Sequence, residues 1–546
     1  MICRRVFFFS ITVAFLTLGL CAQERSATHP TRGFQISGTV VNASGGQPLA
    51  RIEVSIASVE GRVPLHTITA DDGYFSFTGL SSGKYALSAR GRGFPDQAYE
   101  QHELFSTAVV VGPGLDSENL VFRIKPGVRI SGTITDEANE PVPDALVWLF
   151  RKSFSEGAQS THMATQARTD DRGQYSFRSL PEGTYFIAVT ATPWYAQVGG
   201  GFAVRRGYRA QTTPEEQTTS QNTNLDVTYP ITYFPGVTES QEATSITAHA
   251  GDRVTADLQL TAVPAYSIRV LYPDAKHTGY LEVNQRVFNL TLPVAGSSTG
   301  GNVTTINNVP AGHYVFKFRP DTSSESGREL EMDIAGNTEI DASVLQTADV
   351  SVAGTIHPVA ATSLPQPMFI VFLNRQSNDD LMAEVSSKGE FEFHYGFLSP
   401  GDYEVQLGNP HGFVVYSMSA TGAKVFGRTL HLSGPGSVHV EVLVSKGTGQ
   451  VDGIVLRDKK PVAAAMVLLV PQDFQHNLSL VRRDQSDSDG TFTLPRVVPG
   501  AYTVVAIQDG WNLQWADPNA LKPYLAHGTP VVMEGTRDYH VTVQLQ

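Results

Sequence analysis

One pattern of turn residues and alternating apolar residues recurs along the chain, and it is clearest over residues 171–185. There an Asp-Arg-Gly turn precedes Tyr175 and Phe177, which alternate with polar residues, and a Pro-Glu-Gly turn precedes Tyr185. Alternation of this kind places one face of a β-strand against a core, while Asp, Gly and Pro supply the turns. The pattern therefore predicts a turn, a strand, a second turn and a second strand.

The same pattern returns at 72–85 and 489–502, and in all three copies eight residues separate an inward aromatic from the second turn glycine. A looser copy at 388–403 has two extra residues, and a copy at 309–314 keeps only the second half. Short alternating strands with turn signals between them are typical of small β-sandwiches. The chain is predicted to be all-β, a tandem array of about five small Greek-key-type sandwiches.

The predicted divisions follow the repeats. They are a signal peptide (1–22), a leader (23–33), and sandwiches at 34–125, 126–261, 262–345, 346–446 and 447–546, the second with a polar loop insertion at 199–224. The third sandwich is the most degenerate. Because each closing strand runs almost directly into the next opening strand, the short linkers predict a semi-rigid rod.

The N-terminus has the features of a secretory signal. Arg4 and Arg5 precede an apolar run over residues 6–20, and a small-residue cleavage site follows at Ala22. About 15 apolar residues are fewer than the roughly 20 that a spanning helix needs. A lipid anchor on Cys21 is the weaker alternative, because the preceding leucine is bulky. We expect a secreted, periplasmic or cell-surface protein with no membrane span after cleavage.

Composition narrows the class of partner. Cys3 and Cys21 are the two cysteines of the chain, so a cleaved chain has no disulfide and depends on core burial. The formal charge is -13 and becomes two units more negative when the signal peptide is removed. A dispersed acidic charge argues against nucleic acid and anionic lipid as partners.

Several motifs resemble those of one known family. The opening strands Ile36–Val40 and Ile130–Ile134 share an Ile-Ser-Gly-Thr core, and the aromatic hairpin is followed by Leu-x-x-Gly-x-Tyr. A proline turn follows each opening strand, at Pro48, Pro141 and Pro461. These features resemble the carboxypeptidase regulatory-like repeat of the transthyretin-like (prealbumin-like) sandwich family. The resemblance implies a fold that is usually described as carbohydrate-binding-like or structural, and it leaves activity open.

Motifs for catalysis are weak. None of the fifteen histidines begins a His-x-x-Glu or His-Glu-x-x-His zinc motif. The Gly-x-Ser-x-Gly match at 296–300 lies in a Gly/Ser/Thr stretch that predicts a flexible loop, whereas a nucleophile elbow needs a strand before it and a helix after it. We therefore expect no enzyme activity and no cofactor.

Acidic residues cluster beside the repeated turns, as in Asp71-Asp72, Asp170-Asp171 and the group Asp484, Asp487 and Asp489. A calcium loop needs several oxygens from one loop and a distal Glu, and no acid follows Gly490 until position 509. Asx-turns that cap the hairpins explain the same residues, so no metal site is predicted.

Aromatic residues in loops give the one candidate site. Trp194 and Tyr195 precede the polar insertion, and Trp511 and Trp515 flank Asn512 and Gln514 at the corresponding place in the fifth sandwich. Sugars stack on exposed aromatic rings while nearby amides and carboxylates bind their hydroxyls. The competing interpretation is that these rings cover the open end of a sandwich.

The sequence thus favours a secreted, non-enzymatic, multi-domain binding or scaffold protein that contacts carbohydrate at these loop aromatics. The alternative is a purely structural spacer or a protein-binding surface adhesin. The expected partners are a polysaccharide or a cell-surface protein.

Overall fold

The computed structural model describes residues 33–546 except for 60, 62, 156, 197–225, 273–277, 289, 321–327, 348–349, 360–362, 375–378, 394–397, 399, 435, 447 and 536. The predicted signal peptide (1–22), the leader up to residue 32 and the insertion (199–224) lie outside the described residues. Ten small sheets are formed within the described part of the chain, and they pair into five β-sandwiches in tandem. The predicted all-β fold is confirmed.

The first two sandwiches contain most of the repeated pattern. The first holds β1 (Phe34–Asn42), β2 (Glu53–Ser58), β3 (Leu65–Ile68), β4 (Tyr74–Leu80), β5 (Gly83–Gly91), β6 (Phe94–Ala98), β7 (Val109–Val111) and β8 (Leu120–Ile124). The second holds β9 (Val128–Thr135), β10 (Leu146–Ser155), β11 (Ala158–Arg168), β12 (Gln174–Leu180), β13 (Gly183–Thr190), β15 (Thr232–Tyr233), β16 (Ile246–Ala248), β17 (Arg253–Thr255) and β18 (Leu258–Gln259).

The third and fourth sandwiches follow. The third holds β14 (Val227–Thr228), β19 (Val263–Leu271), β20 (Thr278–Val287), β21 (Leu290–Gly300), β22 (Val303–Pro310), β23 (Gly312–Pro320), β24 (Arg328–Ile334), β25 (Thr338–Asp341) and β26 (Gln346–Thr347). The fourth holds β27 (Val350–Pro358), β28 (Met368–Asn374), β29 (Asp379–Val385), β30 (Glu390–Glu392), β31 (Gly401–Gly408), β32 (Phe413–Thr421), β33 (Lys424–Phe426), β34 (Thr429–Leu432) and β35 (Gly436–Lys446).

The fifth sandwich adds a short helix to the same plan. It holds β36 (Gly449–Arg457), β37 (Lys460–Pro461), β38 (Met466–Pro471), β39 (Arg482–Gln485), β40 (Thr491–Val497), β41 (Gly500–Ile507), α1 (Pro518–Leu525), β42 (Thr529–Met533) and β43 (Tyr539–Gln544). Short 3-10 helices lie at Ser240–Glu242, Ala342–Val344, Leu478–Leu480 and Gly510–Asn512.

All five sandwiches share one strand order. In one sheet the opening strand is central, antiparallel to the strand with the repeated aromatics and parallel to the closing strand: β4-β1-β8, β12-β9-β17, β22-β19-β25, β30-β27-β35 and β40-β36-β43. The facing sheet is built on an antiparallel pair: β2 with β5, β10 with β13, β20 with β23, β28 with β31 and β38 with β41. The buried aromatics of the repeat lie between these two sheets.

A glycine in the opening strand permits the closing strand to pair beside it. A Cβ atom on Gly38 would lie 2.2 Å from the carbonyl oxygen of Leu120 in β8. The equivalent glycines of three other sandwiches are as close to their closing strands, with approaches of 2.1 to 2.4 Å: Gly132 to Ala256, Gly354 to Val440 and Gly453 to Val541. A side chain there would force the closing strand away, so the glycine of the Ser-Gly-Thr motif reflects close backbone packing.

The tyrosine of Leu-x-x-Gly-x-Tyr ties the second turn of the repeat to the core. In four sandwiches its hydroxyl donates a hydrogen bond to the carbonyl four residues earlier: Tyr85 to Ser81, Tyr185 to Pro181, Tyr314 to Pro310 and Tyr502 to Val498. The ring itself is buried between the sheets in each case. The motif therefore combines apolar burial with a satisfied polar tip, as buried tyrosines usually do.

Two short strands cross the predicted boundaries. β14, which precedes residue 261, pairs with β19 of the third sandwich. β26, which follows residue 345, pairs with β24 of the same sandwich. The third sandwich therefore includes a short strand from each side of its predicted boundaries.

The predicted rod is wrong, because the first sandwich contacts the fifth. Lys84 Nζ lies 2.5 Å from Asp487 Oδ2, and the amide of Ala108 donates to Oδ1 of the same carboxylate at 3.0 Å. The amide of Ser488 donates to the carbonyl of Ala108 at 3.0 Å. Short linkers limit the distance between neighbours but not the angle between them, and here the chain turns back until its first and last sandwiches meet.

We expect Tyr85→Phe to lower the free energy of unfolding of the first sandwich by about 1 kcal/mol, because it removes one hydrogen bond and leaves the carbonyl of Ser81 without that donor. Tyr74→Phe is the matched control, since Tyr74 is 43 % exposed in the same sandwich. Urea denaturation of both variants measures the difference. Equal stability of the two would show that the hydroxyl of Tyr85 contributes nothing.

Candidate functional site

Trp194 and Tyr195 lie together at one end of the second sandwich, after β13. Trp194 is 81 % exposed, and the two rings meet edge to face with centroids 5.6 Å apart. The preceding residue, Pro193, is buried, so the backbone next to the exposed tryptophan is anchored in the sandwich. An exposed indole that is held in this way presents an apolar face to solvent.

The turn between β9 and β10 supplies polar groups beside these rings. The hydroxyl of Tyr195 donates a hydrogen bond to the carboxylate of Glu137, which is exposed. The pKa of Tyr195 is raised, first by loss of solvent around its hydroxyl and then by the Glu137 bond. Tyr229 also lies against Tyr195, and burial raises its pKa strongly. Both phenols therefore remain protonated donors at neutral pH.

Trp511 and Trp515 are placed differently, and the structure does not present them to solvent. They are only 7 % and 6 % exposed and belong to a cluster that packs on the outer face of β38 and β41. The helix α1 covers the same cluster through Leu521. The expectation of exposed loop aromatics is therefore corrected for these two residues, because the chain after β41 folds back over its own sheet.

The first sandwich completes the cover over Trp511. The imidazole of His102 stacks on the indole with centroids 4.9 Å apart and an interplanar angle of 6°, and Phe105 lies 5.7 Å away. Arg483 lies over the ring of Phe105 at 4.7 Å and forms a bidentate ion pair with Glu103, at 2.7 and 3.1 Å. Such a stack leaves no open face on Trp511 for a sugar ring.

The second sandwich closes over Trp515. A Cβ atom on Gly157, in the turn between β10 and β11, would lie 2.4 Å from the Trp515 ring, and the amide of Ala516 donates to the Gly157 carbonyl at 3.2 Å. The first, second and fifth sandwiches therefore meet around the two tryptophans. We call this region, built on His102, Phe105, Gly157, Arg483, Asp487, Trp511 and Trp515, the closure contact.

The side chains of Gln485 and Asp487 are buried and hydrogen-bonded in the closure contact, whereas Nε1 of Trp511 and Nε1 of Trp515 are buried without a partner among the described residues. Gln485 is almost fully buried, and its side chain bonds His102, Thr107 and the carbonyl of Glu100. Burial raises the pKa of Asp487, and the neighbouring Lys84 opposes that shift. Burial also raises the pKa of Asp484 to about 6. Backbone amides therefore stabilise the ionised forms of Asp484 and Asp487, and Lys84 of the first sandwich also stabilises that of Asp487.

Comparison with known proteins identifies the family of two segments of this chain. The family model described as the carboxypeptidase regulatory-like domain matches residues 35–122 and 129–229.

The first two sandwiches are carboxypeptidase regulatory-like domains.

Among curated proteins, Colossin-A of Dictyostelium discoideum is 21 % identical over 300 residues, which cover 47 % of this chain and 2 % of Colossin-A. The matched region is therefore a small part of that relative. Among solved structures, the Bacillus anthracis TIE protein is 13 % identical, covering 77 % of this chain and 76 % of that protein with a TM-score of 0.18. A minor pilin of Streptococcus agalactiae is 14 % identical, covering 42 % of this chain and 97 % of the pilin with a TM-score of 0.21.

Three of the acidic residues that were expected to cap turns do so. Asp72 Oδ1 accepts from the amide of Tyr74, and Asp170 Oδ1 accepts from the amides of Arg172 and Gln174. In the fifth sandwich Asp489 caps Thr491 in the same way. The expectation is wrong for Asp484 and Asp487, because Asp484 accepts from the amide of Thr493 and Asp487 binds the first sandwich. Within the described residues no three histidine, cysteine or acidic side chains converge as metal ligands.

The Gly-x-Ser-x-Gly match does not lie in a loop, contrary to expectation. Residues 296–300 belong to β21 and pair with β20. A nucleophile elbow requires a sharp strand-to-helix turn, which a residue inside a strand does not have. Over the described residues, the structure has no helix that is both long and apolar enough to span a membrane.

The buried tryptophans had a signal in the sequence. Every residue of β38 is buried, and its sequence, Met-Val-Leu-Leu-Val-Pro, lacks polar alternation. A strand that is apolar on both faces is covered on both faces. The outer cover of β38 therefore had to come from elsewhere in the chain, and it comes from the segment with Trp511 and Trp515.

We expect Lys84→Met to open the closure contact, because Asp487 would remain buried without its cation. The cost is about 1–3 kcal/mol, less than for a fully buried pair since Lys84 is one-third exposed. Acrylamide quenching of Trp511 and Trp515 fluorescence, in a background with Trp148→Phe and Trp194→Phe, should increase.

Arg90→Met is the control for this experiment, because Arg90 pairs with Glu53 on an exposed part of the same sandwich. Quenching that rises equally in both variants, or in neither, would show that Lys84 does not hold the two sandwiches together.

Proposed function

We propose that this chain is a secreted, non-enzymatic, multi-domain binding protein whose second sandwich contacts a glycan through Trp194 and Tyr195. The exposed indole of Trp194 carries the proposal. It is a flat apolar surface beside the phenol of Tyr195, which bonds the Glu137 carboxylate, and sugar rings and their hydroxyls require such a combination. The apolar run after Arg4 and Arg5 supports secretion.

The turn between β9 and β10, which Tyr195 contacts through Glu137, has polar groups that suit hydroxyl binding. Glu137 and Asn139 lie exposed in one turn, and Asp136 fixes that turn by accepting the amides of Ala138 and Glu140 at 2.9 and 2.8 Å. A turn that is held in this way orders its outer side chains before a ligand arrives, and such order lowers the entropic cost of binding. A neutral sugar fits this acidic turn better than an acidic sugar does.

The closure contact favours a scaffold role beside this binding role. Three sandwiches meet around buried tryptophans, so the position of the second sandwich is set by contacts with the first and the fifth. An arrangement of this kind presents Trp194 in a defined direction. A protein that is only a spacer needs no exposed indole.

The test is binding of the chain from Gln23 to Gln546 to a panel of neutral insoluble polysaccharides and a glycan array. We expect Trp194→Ala to weaken binding about tenfold, which corresponds to about 1.4 kcal/mol. Tyr74→Ala is the control, because it removes a partly exposed ring from the first sandwich. Trp511→Phe should leave glycan binding unchanged, since Trp511 is buried.

Glycan binding that is indifferent to Trp194→Ala would contradict the proposed site. An absence of binding to every polysaccharide would favour the spacer or protein-adhesin function.

A further inference from the structure

A cleft separates the fourth sandwich from the fifth. Its volume is about 530 Å³, which lies in the range of roughly 300–1,000 Å³ that is typical of ligand sites. One wall is β32 together with the turn from Val425 to Arg428, and the other wall comes from Asn477, Leu480 and the segment Val498 to Pro499. None of these residues belongs to the regulatory-like domains or to the closure contact.

β32 offers its edge to this cleft. The sheet order is β30-β27-β35-β32, so β32 is the last strand and pairs on one side only. Six consecutive residues, 415–420, line the cleft. Successive side chains of a strand point to opposite faces, so a cleft lined by consecutive residues lies along the edge of the strand. The outward amides and carbonyls of an edge strand are open to pairing with another chain, although the carbonyl of Val415 at one end already accepts from Arg428.

Arg428 gives the cleft a positive charge. Among the described residues its side chain donates to one acceptor, the carbonyl of Val415, although a guanidinium carries five donor hydrogens. Burial lowers the pKa of Arg428 to about 10, and the neighbouring Arg482 acts in the same direction. Two guanidinium groups therefore stand near one carboxylate, that of Glu404. In a chain of formal charge -13, this is a local excess of positive charge.

We propose that this cleft binds an extended peptide segment of a partner protein, which pairs with β32 as a fifth strand of its sheet and places an acidic side chain on Arg428. Pairing along residues 416–420 gives room for about five residues, or roughly 17 Å of extended chain. Backbone pairing supplies affinity in such complexes, and the pockets beside the strand supply specificity.

The lining favours a peptide over a sugar. Met418, Leu480 and Val498 provide apolar contacts for alternate side chains of an added strand. Tyr416 is the one aromatic residue of the lining, and it sits at a bulge where β32 loses register with β35. A bulged ring at one end of the cleft is poorly placed for stacking a sugar over its length.

The test pans a phage library of random linear peptides against the chain from Gln23 to Gln546. The expected peptides have alternating β-branched residues and one Asp or Glu at a fixed position, and their synthetic forms bind in fluorescence anisotropy. Replacing that acid by its amide should weaken binding about tenfold to the unaltered protein. In an added strand every second amide faces β32. N-methylation of those amides should abolish binding, whereas N-methylation of the intervening amides should not, and recognition of side chains alone would not produce this difference.

Arg428→Gln should weaken the same peptides about tenfold, while Arg537→Gln, an exposed arginine of the fifth sandwich, should not. Trp194→Ala should leave peptide binding unchanged, which separates this cleft from the proposed glycan site. The proposal is overturned if no peptide is enriched, or if binding of the enriched peptides is unchanged by both the acid-to-amide replacement and Arg428→Gln. It is also overturned if polygalacturonate binds in an Arg428-dependent way while peptides do not bind.

Discussion

The carboxylate of Asp487 is the interaction on which the arrangement of the sandwiches depends. It accepts from Lys84 and from the amide of Ala108, both in the first sandwich, although it lies on the fifth. A buried carboxylate is costly unless it is paired and hydrogen-bonded, so Lys84 and the Ala108 amide offset the cost of burying Asp487 in this contact. The stack of His102 on Trp511 adds apolar burial to the same contact. Closure therefore determines which aromatic residues are left for a ligand, and Trp194 is the tryptophan that stays exposed.

Within four of the five sandwiches a different constraint operates, which is the close approach of the parallel opening and closing strands. The glycine of the opening strand, such as Gly38, leaves space for the carbonyl of the closing strand. The tyrosine that follows the second turn, such as Tyr85, fixes that turn through its hydroxyl. The fold thus repeats because a few small and aromatic positions repeat, while the loops between them differ. Those loops carry the proposed glycan site and the wall of the peptide cleft that faces β32.

Much of the fold was predictable from the sequence, because alternation and turn chemistry act over a few residues. The Asx-turns at Asp72 and Asp170 follow directly from Asp-Gly spacing. Cover of a sandwich by Trp511 was the competing interpretation of the sequence, but its stacking partner could not be predicted, since His102 lies in a sandwich some 400 residues away in the chain. The cleft around Arg428 could not be predicted from the sequence either, because its lining residues come from two different sandwiches. Local patterns specify the modules, and contacts between distant modules decide which side chains are exposed.

The most direct test of this account is small-angle X-ray scattering from the chain between Gln23 and Gln546. Contact between the first and fifth sandwiches predicts a compact particle with a matching distance distribution. The maximum dimension should grow in the Lys84→Met variant. A linear particle with the length of five sandwiches end to end would contradict closure. It would also return Trp511 to solvent on the side that His102 covers here.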